Sequence, residues 1–348
     1  MVSISIIIIN IGTLPCMEGL LPMSTKSIND LSNDYIDLIN HTRSQNTTRT
    51  YQNAMQLFLN VLKERWIDPE EKTIEGLTED AIGWFAAYLK NYSPATEQLY
   101  LQAVKGFYEF LASENNSNIN LPRLKLLVKQ RSRRSGIRLP QFPRNEIETI
   151  IDYVQQLPAA SYESELERLR AMRDRAFIIT LADTGLRVSE ACSLRRGDID
   201  WFEGKAIIIG KGDKEAVIRF SVRSIAALKD YLHERMKLDG NTKIPIQALP
   251  IFARHDKGAG KKIKPITTTT GRNIVNEMAK LALGPGSERM ITPHSFRHYF
   301  VTTVLNATGN LKIAQELARH TNISVTQRYA HISDNELDQQ YIEIFDDN

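Results

Sequence analysis

The sequence predicts a mainly α-helical protein with one small β-sheet, divided into two domains. Three observations lead there. Apolar residues recur at helical spacing along most of the chain. A single pair of short, β-branched runs flanks a glycine-rich turn. Finally, 348 residues exceed what one hydrophobic core usually serves, and 42% apolar content lets each of two domains bury its own.

The chain opens on an extension, residues 1–24, to which no function is assigned. Residues 6–9 are all isoleucine, but no basic segment precedes them and the run is far shorter than the roughly 20 apolar residues of a membrane span. Neither a signal peptide nor a membrane partner is expected; the segment reads as a flexible start or as one wrongly assigned, with the natural start near Met17 or Met23. Residues 25–121 read as a small helical domain. Tyr51, Met55, Phe58, Leu59 and Leu62 trace one amphipathic stripe, and Ala81, Trp84, Phe85, Tyr88 and Leu89 a second. A third helix opens at Ser93-Pro94, a cap followed by proline in the first turn, and runs through Leu99, Ala103, Phe107 and Phe110. Asn and Ser residues around 114–120 close the domain.

Residues 122–143 carry Lys125, Lys129, Arg131, Arg133, Arg134 and Arg138 without an intervening acid, and Pro140 and Pro143 follow. A solvated linker and a segment that contacts a polyanion through phosphates both fit this composition. Lys129, Arg131, Arg133, Arg134 and Arg138 are therefore candidate phosphate contacts to a polyanion such as DNA. Residues 144–348 form the second domain, helical except for the runs 206–209 and 216–220, which read as a hairpin around Gly210-Lys211-Gly212-Asp213-Lys214. The overall charge of +3 declares no partner by itself, although the acidic end of the chain (Asp334, Glu336, Asp338, Glu343, Asp346, Asp347) leaves the body more basic. Cys16 and Cys192 fit no metal spacing and suit a reducing, cytoplasmic setting.

Four segments of the second domain carry chemistry. Thr184-Gly185-Leu186-Arg187 places an arginine after a turn glycine, where pairing with Glu190 on a helix surface is the plain alternative. The hairpin turn bears Lys211 and Lys214; it lacks the P-loop pattern, but a lysine there can protonate a leaving oxygen. Thr292-Pro293-His294-Ser295-Phe296-Arg297 predicts a capped helix with His294 and Arg297 on one face of its first turn. Around 317–331, a helix ends near Arg319-His320, and Ser324 with Gln327 forms a capping box for a short helix that carries Tyr329. Two guanidiniums suit the non-bridging oxygens of a phosphodiester. Tyrosine, with a pKa near 10, needs cations nearby to attack phosphorus. The inventory fits metal-free phosphoryl transfer to tyrosine.

Residues 184–194, 210–214, 294–297 and 320–329 resemble the signature of the tyrosine recombinase, or phage integrase, family, with the spacing of its Xer-like branch. The family's ordered set of Arg, Lys, His-x-x-Arg, His or Trp, then Tyr reads here as Arg187, Lys211, His294 with Arg297, His320 and Tyr329. The resemblance extends to residues 93–96 and their helix, and so covers roughly residues 25–335. It implies a helical SAM-like core-binding domain followed by an α+β catalytic domain. It further implies that Tyr329 attacks the scissile phosphate to form a 3′-phosphotyrosyl link and free a 5′-hydroxyl. Arg187 and Arg297 would hold the phosphate oxygens, His320 would add a hydrogen bond, Lys211 would protonate the departing oxygen, and His294 would move the tyrosine proton. Lys214 is a weaker alternative to Lys211, and Glu190 matches a supporting carboxylate. Double-stranded DNA recombination sites and a homotetramer assembled on them are the implied partners. One departure is visible: Arg319 stands where the family commonly has glycine. A type IB topoisomerase-like enzyme and an inactive DNA-binding protein of the same fold are the alternatives.

Overall fold

A computed structural model describes residues 26–113, 119–133, 143–209, 215–256, 258, 262–287, 290–320, 323 and 326. The expected extension 1–24, the turn 210–214 and the segment around Tyr329 lie outside the described residues. The chain divides into two compact units, Met1–Arg138 and Leu139–Asn348.

The first unit is mainly helical in its described residues, with one isolated antiparallel bridge between Ser27 and Thr73. It contains α1 (Ile28–Thr42), α2 (Gln45–Glu64), α3 (Asp80–Tyr88), α4 (Pro94–Ser113) and α5 (Leu121–Arg131). The three expected stripes are α2, α3 and α4, and Ser93 caps α4 by accepting from the Thr96 N–H at 3.1 Å. Two helices extend that reading. The first, α1, starts at a capping box in which Ser27 and Asp30 satisfy each other's backbone N–H. The second, α5, occupies the beginning of the stretch expected as a linker, because Leu124 is fully buried and anchors it against the other helices. Phe58, Phe85, Phe107 and Tyr108 fill the core, with Phe58 edge-on to Phe85 at 5.3 Å. Leu99, expected on the α4 stripe, is exposed, and the neighbouring Leu101 and Val104 supply the buried face instead.

The second unit is built around α7 (Glu165–Thr184), which packs against α6 (Arg144–Gln156), α9 (Val222–Glu234) and α12 (Pro293–Thr308). Its buried residues include the consecutive run Ala176, Phe177, Ile178, Ile179, Thr180, Leu181 and Ala182, the pattern of a helix covered on all sides. Short α8 (Val188–Ser193) follows it, α10 (Met236–Asp239) follows α9, and α11 (Thr268–Leu283) packs on α6 and α8. The last described helix, α13 (Leu311–Ala318), lies against α12. Strands β1 (Ile199–Asp200), β2 (Lys205–Ile209) and β3 (Glu215–Arg219) form an antiparallel sheet in that order, with Ala206 opposite Ile218 and Ile208 opposite Ala216. Ala206, Ile208 and Ile218 face the core, whereas Ile207 and Val217 are exposed. The apolar run is thus a sheet with one buried face. No described helix is long and apolar enough to cross a membrane.

Candidate active site

The site forms where three chain segments of the second unit meet: the α7–α8 corner, the first turn of α12, and the end of α13. Gly185 makes the corner. It ends α7 with a left-handed backbone (φ +59°), and a Cβ there would come within 2.4 Å of Phe300 from α12. Only glycine meets both demands without strain. The turn delivers Arg187 to the N-cap of α8. There it does what the plain alternative foresaw: its backbone N–H and its Nη1 donate to the two Glu190 oxygens at 2.9 and 2.7 Å. Its side chain nevertheless stays 48% exposed, while Glu190 is nearly buried.

The start of α12 matches expectation. Thr292 is the N-cap, Pro293 opens the helix, and Thr292 and Ser295 exchange capping hydrogen bonds. The first turn places Arg297 inward and only 3% exposed. Arg297 Nη1 donates to the Gly185 carbonyl at 2.6 Å, and Nη2 donates to the Ala318 carbonyl. These two acceptors lie two residues before Arg187 and two residues before His320, so one guanidinium pins both neighbouring segments to α12. The ring of His298, four residues after His294, lies edge-on to it at 4.3 Å.

At the end of α13 the expected departure becomes a local finding. Arg319 itself adopts the left-handed cap (φ +56°), with its N–H directed at the Gln315 and Glu316 carbonyls. The helix therefore terminates there without glycine, at a backbone strain of roughly 1–2 kcal/mol. His320 is then held firmly. Its N–H donates to Gln315 O at 3.1 Å, its carbonyl accepts from Gln315 Nε2 at 3.0 Å, and its Nδ1 meets the buried Thr326 hydroxyl at 2.8 Å.

Electrostatics bind the cluster together. Burial, then Arg297 and Arg187, hold the His294 imidazole below its usual range. Burial, then Arg297, Arg187 and the other two rings, pull His320 down to about 4. Burial, then His294 and Arg297, do the same to His298, also to about 4. All three rings are therefore neutral at pH 7, able to accept a proton or a hydrogen bond beside two permanent cations. Burial raises the Glu190 pKa, but Arg319 and the Arg187 hydrogen bonds outweigh it and keep the carboxylate ionised. Such a concentration of positive charge with neutral imidazoles suits an anionic tetrahedral group and its proton traffic.

The structure thus brings together Arg187, Glu190, His294, Arg297 and His320, whereas Lys211, Lys214 and Tyr329 lie outside the described residues. Sequence reasoning did not select His298 or Arg319 for the site. The four-residue step from His294 was a usable signal for the first; a cation at a glycine-type helix end was the only one for the second. The candidate DNA contacts fare differently from one another. Lys129 is exposed on α5. The Arg131 guanidinium lies so near Gly83 of α3 that a Cβ there would come within 2.1 Å of it. Arg133 is committed inside its own unit, since Nε binds fully buried Glu97 at 2.5 Å and Nη2 donates to the Tyr92 carbonyl at 2.6 Å. The buried carboxylate is shared with Lys90 Nζ at 2.9 Å, and the Arg133 side chain stays 36% exposed, so this cation has a structural role in addition to any it has toward DNA. Arg134 and Arg138 lie outside the described residues.

Known proteins similar to this chain cover most of its length. The phage integrase family pattern matches residues 141–336, and that of the phage integrase N-terminal SAM-like domain matches residues 33–115. A protein of Thermodesulfovibrio yellowstonii named tyrosine recombinase XerC is 30% identical over 315 residues, 89% of this chain and 94% of its own length. Its namesake in Bacillus subtilis is 31% identical over 300 residues, covering 86% and 90%. Among solved structures, the XerH site-specific recombinase in a post-cleavage complex with its palindromic difH substrate shares the fold. It has a TM-score of 0.66 and 21% identity, covering 91% of this chain and 84% of that one.

Proposed function

This chain belongs to the phage integrase family, and from that membership we propose how it works as a site-specific tyrosine recombinase that cleaves and rejoins DNA. The observation that carries the proposal is the convergence of Arg187, Arg297, His294 and His320 on one patch through the two carbonyl anchors of Arg297. In the proposed reaction the two guanidiniums hold the non-bridging oxygens of the scissile phosphate, and His320 adds a hydrogen bond. The Tyr329 hydroxyl attacks phosphorus, and its proton passes to neutral His294. The bond from phosphorus to the 5′-oxygen breaks, and Lys211 supplies that oxygen with a proton. One phosphodiester is exchanged for another, so rejoining is the same step reversed, and no nucleotide is consumed.

Each copy carries one such nucleophile, and exchange between two duplexes opens four strands; a homotetramer assembled on two DNA sites is therefore the proposed active form. A cytoplasmic setting is proposed with it, consistent with a DNA substrate. The relatives that match most of the chain are named as recombinases, and no observation favours a topoisomerase-like or inactive reading.

The test is covalent capture. The full-length chain is incubated, in EDTA and without ATP, with randomly nicked genomic fragments of its source, and SDS-resistant complexes are collected and sequenced. The proposal expects one recurrent sequence to be trapped, and plasmids carrying two copies of it to exchange partners. Relaxation of supercoils without exchange would favour the topoisomerase reading, and no covalent product with any fragment would overturn the proposal.

A further inference from the structure

We infer that Arg319, which the proposed reaction does not use, is a positioning residue that holds both phosphate-facing arginines through the groups that anchor them. The inference rests on the functional reading above for what those arginines do; the contacts that carry it are separate. Arg319 holds a left-handed backbone (φ +56°) that a side chain disfavours. Its side chain turns inward, only 12% exposed, and its Nε is buried without a hydrogen-bond partner among the described residues. Burial also depresses its pKa, an effect that Glu190 opposes. A residue so placed is a poor choice for stability alone.

What the side chain reaches explains its presence. Its Nη2 lies 3.2 Å from Glu190 Oε2 and 3.5 Å from the Gly185 carbonyl. Glu190 is the carboxylate that orients Arg187, and the Gly185 carbonyl is the acceptor that orients Arg297. The division of labour on Glu190 is specific. Oε1 takes the Arg187 guanidinium, while Oε2 accepts the Arg187 backbone N–H and faces Arg319 Nη2. Arg319 therefore neutralises the half of the carboxylate that the Arg187 side chain does not touch. Without it, the whole negative charge of Glu190 would bear on Arg187 and weaken the field that Arg187 presents to a phosphate. The backbone of Arg319 also leads directly into His320, so one residue ties three of the proposed phosphate-binding groups together.

The test compares single-turnover covalent product formation by the full-length native chain and its variants on the captured DNA site. Arg319→Gly keeps the left-handed backbone and removes the cation, so its thermal midpoint should not fall. Its cleavage rate should drop by about 10- to 100-fold, with duplex affinity changed by less than about threefold. Both contacts come from a single nitrogen, so Arg319→Lys should recover most of the rate, which a purely structural role in the backbone turn would not predict. In a Glu190→Gln background, Arg319→Gly should bring a smaller further loss, because the Glu190 charge is already gone and only the contact to the Gly185 carbonyl remains to be removed. Native-rate cleavage by Arg319→Gly, a lysine variant no faster than the glycine one, or losses that multiply in full would each overturn the inference and leave the functional reading standing. Absence of product from the native chain itself would overturn both.

Discussion

Replacing Arg297 with lysine should destabilise the protein far more than the same replacement at Arg187, although both arginines are assigned to one phosphate. Arg297 is 3% exposed and forks between two backbone carbonyls, those of Gly185 and Ala318. Lysine carries one nitrogen and can serve one of them, leaving the other acceptor buried without its charged donor, a loss of about 1.5–3 kcal/mol. Arg187 is 48% exposed, and its side chain makes one ion pair with Glu190 that lysine can rebuild, a change of about 0–1 kcal/mol. For a domain of this size each kcal/mol moves the melting midpoint by roughly 2–4 °C, so Arg297→Lys should melt about 3–12 °C lower and Arg187→Lys no more than about 4 °C lower. Covalent product should nonetheless fall in both variants by about 10²–10³-fold, since each loses a guanidinium proposed to stabilise developing phosphate charge. Circular-dichroism melts paired with single-turnover cleavage separate the two quantities. Equal melting shifts, or a larger one at Arg187, would refute the view that Arg297 is both a tie between segments and a phosphate ligand.

Gly185→Ala should be at least as damaging by a different route. The added methyl meets Phe300 and the backbone must hold φ +59°, which together should lower stability by about 2–5 kcal/mol, readable by urea titration; a loss under 1 kcal/mol would show that α12 yields easily. Stability should also fall as the solution is acidified below about pH 6.5. His298 and His320 are depressed to about 4 and buried His255 to about 3, so across that window the unfolded chain binds more protons than the folded one. Melting midpoints at pH 7, 5.5 and 4.5 should decline in that order, and a flat or rising series would contradict the neutral-imidazole description of the site.

Much of the fold was legible because its signals are local. The stripes of α2 and α3, the Ser93-Pro94 start of α4, the Thr292-Pro293 start of α12 and the hairpin strands all declare themselves within a dozen residues. The departures have a common cause in tertiary context. Leu124 looks like one apolar residue in a basic stretch until the other helices bury it, and Arg133 looks like a free cation until it pairs with Glu97, 36 residues earlier in the chain. The site follows the same rule. Arg187, His294, Arg297 and His320 are recognisable from residue type and order, but the carbonyls that Arg297 uses belong to Gly185 and Ala318, and no side-chain pattern announces a backbone acceptor. Arg319 was visible only as an oddity at a helix end; its role depends on meeting Glu190, which folding alone decides.

The most direct measurement is to identify the residue that becomes attached to DNA. The trapped complex would be digested with protease and nuclease, and the nucleotide-bearing peptide sequenced by mass spectrometry. The account predicts a nucleotide on Tyr329 and no trapped complex from Tyr329→Phe. A nucleotide on any other residue, or a complex that survives that substitution, would contradict it.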